Sequence, residues 1–105
     1  MNDETSTGNV FEDLGFDEPE EELAKAKLTI QIRDIINEKK MTQTDAGRKL
    51  GISQTEVSNL VRGNVGRFTL DRILRYLTVL GMDVEIVTRP PPEGRHATIH
   101  VGSIA

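Results

Sequence analysis

The chain has 105 residues, the size of one domain with one small core, and its 36% hydrophobic and 29% charged residues are ordinary for a soluble fold. It contains no cysteine, which closes off disulfides, thiolate zinc sites, iron–sulfur clusters and cysteine nucleophiles. No apolar run approaches the roughly 18 residues of a membrane span, and the N-terminus is acidic where a signal peptide would be basic, so a cytoplasmic protein is expected.

The formal net charge of −4, taken alone, argues against a nucleic-acid partner, but the average conceals a division. Residues 1–27 hold nine acids and two lysines, a net of −7, whereas the remaining 78 residues carry +3. The pattern is an acidic arm on a mildly basic body, each able to have its own partner. The arm reads as residues 1–18. Its first nine residues are polar and expected to be disordered, while Val10, Phe11, Leu14 and Phe16 give the rest more apolar side chains than a solubilising tail requires.

Pro19 suits the first turn of a helix, Glu20, Glu21 and Glu22 suit its positive end, and the recurrence of Leu28, Ile32, Ile35 and Ile36 predicts one long helix over 19–39. Thr42 is an N-cap for a short helix over 43–50, and Gly51 can take the left-handed conformation that ends it. Ser53 with Glu56 spells a capping box for a helix over 53–61. After a loop over 62–67, Thr69 caps a fourth helix whose Leu70, Ile73, Leu74, Leu77 and Leu80 share a face, stopped by Gly81. The period then changes from 3.6 to 2. Val84 and Ile86 alternate with Asp83, Glu85 and Val87, which predicts a strand over 83–88, and Pro90, Pro91 and Pro92 forbid its continuation. A second candidate strand lies at 97–101. With only Phe11, Phe16, Phe68 and Tyr76 aromatic, an aliphatic core is expected. The fold class is mainly α, a bundle of about four helices with a C-terminal β-strand, divided into the arm (1–18), a helical domain (19–82) and a strand and tail (83–105).

Residues 42–63 have what a helix-turn-helix needs. Gly47 is small enough for two helix axes to cross closely, Gly51 makes the turn, and Val57 packs back on the first helix with Leu50, Ile52, Leu60 and Val61. Gln54, Thr55, Ser58, Asn59 and Arg62 fall on the opposite face of the second helix, and Glu56 is committed to the cap. An ordinary solvated face would carry Glu and Lys at helical spacing, whereas these are the side chains that read base edges in the major groove: Asn and Gln on adenine, Arg on guanine, Ser and Thr on several acceptors. Gln43, where the preceding helix begins, is placed to clamp a phosphate, the turn from Arg62 to Arg67 reads as one that sets both arginines on the DNA backbone, and Thr42 and Asn64 are grouped with the DNA-binding residues.

The pairs Thr42-Gln43, Leu50-Gly51-Ile52-Ser53-Gln54, Val57-Ser58 and Arg62-Gly63 resemble the DNA-binding domain of the Cro and lambda-repressor-like (XRE) regulators. Phe68-Thr69-Leu70-Asp71-Arg72, Leu80-Gly81-Met82-Asp83-Val84 and the upstream Val10-Phe11-Glu12-Asp13-Leu14-Gly15-Phe16 are similar to small HigA-type antitoxins. The chain departs from the commonest XRE pattern at Ala46-Gly47, where Leu-Ala or Ala-Ala is usual, and a helix-interior glycine is expected to cost about 1 kcal/mol relative to alanine. The resemblance implies a lambda-repressor-like fold and a homodimeric repressor on double-stranded, inverted-repeat operator DNA, hence near the nucleoid. It also implies a basic, mRNA-cleaving toxin partner of the RelE/HigB type. For that partner the arm offers Phe11, Leu14 and Phe16 as anchors.

Val84 and Ile86 form an apolar strip that covers the chain's own domain, pairs with 97–101, or makes the dimer by edge-to-edge pairing with a second copy; the last is preferred over the first because a palindromic operator requires a dimer. His96 and His100 lack a third ligand, so no metal is expected. The carboxylates cluster in the arm without a nucleophile or a pocket to tune them, so neither an enzyme nor a cofactor is expected. A stand-alone phage-type regulator and an adaptor that does not touch DNA are the alternative readings.

Overall fold

The computed structural model describes residues 18–102. The expectations for the acidic arm, including its disorder and the anchors Phe11, Leu14 and Phe16, fall outside these residues. The described chain runs α1 (Glu18–Glu38), α2 (Gln43–Leu50), α3 (Gln54–Val61), a 3₁₀ turn (Val65–Arg67) and α4 (Leu70–Val79). No helix among the described residues is long and apolar enough to cross a membrane.

Helix α1 buries Ala24, Leu28, Ile32, Ile35 and Ile36 along one face, and α4 answers with Ile73 and Leu77, followed by Leu80 at its C-terminal cap. The four apolar positions that predicted α1 are therefore its core face. The expectation of an aliphatic core needs correction, because Phe68 and Tyr76 are both buried in it, edge to face with ring centroids 6.3 Å apart. Phe68 follows the 3₁₀ turn, where sequence reading placed only a loop, and Val65 inside that turn is buried as well. The turn is tied to α1 by a polar contact under the core. The buried Lys25 ammonium donates to the Phe68 carbonyl oxygen at 3.0 Å and lies 3.8 Å from Glu21 and 3.7 Å from Glu22. A lysine this deep is tolerated because its charge is paired and its donors are used.

Local chemistry fixes the helix ends. Helix α2 begins with a capping box: the Asp45 amide donates to the Thr42 hydroxyl at 3.0 Å and the Thr42 amide to the Asp45 carboxylate at 3.3 Å. Helix α3 begins with the predicted one, Ser53 and Glu56 exchanging bonds of 3.1 and 3.2 Å. At the start of α4 the Thr69 hydroxyl accepts from the Arg72 amide, and a hydrogen bond from Thr69 holds the Asp71 carboxyl below the usual carboxylate range. Helix α1 ends in a Schellman motif, with Lys40 N–H donating to Asn37 O and Met41 N–H to Ile36 O, both at 3.1 Å. Lys40 takes the left-handed position (φ 56°) that glycine takes in the equivalent closures after α3 and α4, at a cost of about 1 kcal/mol.

Helices α2 and α3 cross at Gly47. Its carbonyl oxygen accepts from both Gly51 N–H (2.8 Å) and Ile52 N–H (2.9 Å), which closes the turn. A Cβ on Gly47 would stand 2.6 Å from the Ile52 carbonyl oxygen and 3.4 Å from the Val57 side chain. The expected weakness at this glycine is thus corrected: its lack of a side chain is what lets the chain turn so tightly.

The C-terminal segment departs from expectation. Among the described residues there is no strand, either at 83–88 or at 97–101. A ladder needs a second backbone at hydrogen-bonding distance, and the two candidate segments do not pair with one another. Instead the chain reverses at a turn in which Arg95 N–H donates to Pro92 O at 3.2 Å. Both ends of the segment touch the helical body: Val84 and Val101 pack on the core and the Gln31 side-chain amide donates to Gly102 O at 3.1 Å. Val84 therefore covers its own domain, as one of the sequence-based readings had it, while Ile86 and Val87 stand 74% and 69% exposed.

Candidate nucleic-acid interface

Gln43, Gln54, Thr55, Ser58, Asn59 and Arg62 line one shallow concavity of about 370 Å³. Two elements build it. Helix α3 contributes four of the six from its outward side and Arg62 from the position that caps its C-terminus, because Val57 and Leu60 on its inward side are fully buried and fix its roll; α2 contributes Gln43 from its first position. The lining has no carboxylate. Glu56, the one acid in α3, is turned away, with one oxygen accepting from Ser53 N–H and the other 3.7 Å from Arg72.

The structure refines what individual side chains have to offer. The Asn64 side-chain amide donates to the Asn59 side-chain oxygen Oδ1 at 2.9 Å, and Asn64 N–H donates to the Asn59 backbone oxygen at 2.9 Å. Asn59 thus keeps its two amide donors and one lone pair for a ligand, and Asn64, grouped with the contact residues by sequence, holds Asn59 in place. Arg62 reaches the Ser58 hydroxyl at 3.5 Å across one turn. The Thr42 hydroxyl is occupied as the α2 cap and does not line the concavity. Arg67 ends the 3₁₀ turn, exposed and also outside the lining. Of the nine residues singled out from sequence, six come together, Asn64 supports them from behind, and Thr42 and Arg67 stand apart.

Sequence reading missed Arg72 and Lys25. Both act on residues far along the chain, Arg72 on Glu56 and Lys25 on Phe68, and no local pattern announces such a pairing. In the tail, the His100 ring nitrogen Nε2 lies 2.8 Å from the Thr98 hydroxyl and 3.5 Å from Arg95. No group of three or more His, Asp or Glu side chains among the described residues could hold a metal ion. Val84 and Ile86, the candidate dimerisation pair, are divided by the structure into one half-buried and one exposed side chain.

Two comparisons bear on this geometry. Residues 10–89 match a family described as helix-turn-helix domain. A solved structure described as a transcriptional regulator of the XRE family superposes with a TM-score of 0.79 at 32% sequence identity, covering 84% of this chain and 100% of that one. Among curated proteins no sequence matches. With the two short crossing helices, the glycine turn and the polar outer face of the second helix accounted for, the chain belongs to the helix-turn-helix domain family, in its XRE branch.

Proposed function

We propose that this XRE-family protein is a sequence-specific transcriptional repressor that lays α3 in the major groove of an inverted-repeat operator as a homodimer. The observation that carries the reading is the single concavity in which Gln43, Gln54, Thr55, Ser58, Asn59 and Arg62 converge without an acid among them. Amides, hydroxyls and one guanidinium are the groups that distinguish base pairs by their edges, and a carboxylate there would be repelled by phosphate. The homodimer is supported by the exposed Ile86 and Val87 on backbone with no ladder partner, a free edge that a second copy can pair.

The same protein serves as the antitoxin of a type II toxin–antitoxin operon and masks a basic, mRNA-cleaving toxin. The resemblance to HigA-type antitoxins supports this role, as does the net charge of −7 over residues 1–27. The acidic arm runs directly into α1, where Leu23 and Ile30 stand 55% and 47% exposed one above the other, an apolar stripe suited to a partner that the acids have drawn in.

Selection from a random duplex library with the full chain tests the DNA reading. An inverted repeat should be enriched. On that site Asn59→Ala or Gln54→Ala should each cost about 1–3 kcal/mol with little effect on random DNA, whereas Arg67→Ala should weaken both alike and lower the salt slope by about 1. No enrichment, or equal losses on both DNAs from all three variants, would overturn it.

A further inference from the structure

Helix α3 has only eight residues with which to aim its reading side chains, so its axis must be held from outside. Val57 and Leu60 fix its roll but act near its middle and end. Its first turn is held differently. The Arg72 guanidinium on α4 lies 5.2 Å above the Phe68 ring and 5.7 Å from the Tyr76 ring, donates to the Tyr76 hydroxyl, and faces Glu56 at 3.7 Å. Glu56 is a joint between two partners, Arg72 on one oxygen and Ser53 N–H on the other. Among the described residues this is the one ion pair that joins two helices, since the others lie within α1, α2 or α4. Phe68 is itself anchored to α1 through Lys25.

We propose that Arg72 is the positioning residue of the DNA-reading helix: stacked on Phe68 and bonded to Tyr76, it grips Glu56 and so sets the direction of α3. The inference rests on the reading of α3 as the helix that contacts bases. The lever is long enough to matter. Arg62 lies six residues beyond Glu56, about 9 Å along the axis, so a tilt of about 10° about the first turn moves it by about 1.5 Å. Recognition groups have to be held to about 0.5 Å. Arginine suits the task because its flat guanidinium can lie on rings while its edge bonds an oxygen, which a lysine ammonium cannot do.

The test uses the full chain, the DNA site enriched by the wild type, and the variants Arg72→Met, Glu56→Gln and their combination. Glu56→Gln retains an acceptor for the Ser53 cap while removing the charge, so it reports on the pair even where Arg72→Met folds poorly. Well below the unfolding midpoint, each single variant should bind the selected site about tenfold more weakly, the double variant should be no worse than either single, and affinity for random DNA and the salt slope should stay unchanged. Arg72→Lys should recover only part of the loss. Additive losses, unchanged affinity, or a salt slope lowered by about one, which marks a direct phosphate contact, would each overturn the proposal. Amide NMR shifts of Arg72→Met and Arg72→Lys free of DNA separate this inference from the reading beneath it. Changes should spread through residues 53–62, and changes confined to α4 would overturn the positioning role whether or not the wild type selects a site. A wild type that selects no site would overturn the DNA reading, and Arg72's part in it, even where those shifts are seen.

Discussion

At position 47, helix propensity and packing pull in opposite directions. Propensity favours alanine over glycine by about 1 kcal/mol in a helix interior. Packing forbids it, because the added carbon would lie 2.6 Å from a backbone oxygen that cannot swing aside as a side-chain end could. Packing should win. Gly47→Ala is expected to destabilise the protein by about 1–3 kcal/mol in urea or thermal unfolding, and a stabilised variant would show that the Ile52 turn relaxes readily. Single residues were legible in the sequence where their partners are near. Thr42, Ser53, Glu56, Gly51 and Thr69 all cap or close the helices they were assigned to, since capping acts within four residues. Asn64 was seen as a contact residue and not as the support for Asn59, because that bond depends on how the chain curls after Leu60.

The helices were legible for a related reason: each has a periodic apolar face and a punctuated end, and the four observed spans lie within a residue or two of those expected. The C-terminal strand was not. Alternation at Val84 and Ile86 describes a segment able to pair, whereas pairing itself depends on a second backbone that the alternation does not name. The proposed homodimer supplies one. If a second copy pairs with 83–88, Ile86→Lys should convert a dimer to a monomer in sedimentation velocity and lower operator affinity by about 10²–10⁴ through lost bivalency. Its effect on the unfolding of the isolated chain should stay within about 0.5 kcal/mol, because Ile86 is 74% exposed in the monomer. A variant that still sediments as a dimer would place the interface elsewhere.

For the molecule as a whole, the division of charge is the feature with the largest consequence. The acids of residues 1–18 repel phosphate, and the reading face is built entirely after position 42. Deleting residues 1–18 should therefore leave operator binding equal or tighter while abolishing neutralisation of the proposed toxin in cells that express both. Phe11→Ala with Phe16→Ala should reproduce most of that loss at unchanged charge. Continued rescue by the double variant, with an unchanged melting temperature, would show that these rings serve neither partner nor fold.

Helices α2 and α3 are eight residues each, shorter than the roughly 12–15 that even a good helix former needs to persist alone in water. Their four caps and crossing glycine lessen that deficit, but the helices exist because α1 and α4 offer them a core to lie on. The reading face is accordingly a property of the folded chain as a whole, absent from any fragment that holds only residues 42–63. DNA that recognises this face then binds the native state alone and becomes a stabilising ligand, adding about 2.7 kcal/mol at a hundred times its dissociation constant. Proteases that cut through the unfolded state would consume the free protein first, so the copies that outlast a period of arrested synthesis would be those already bound to DNA.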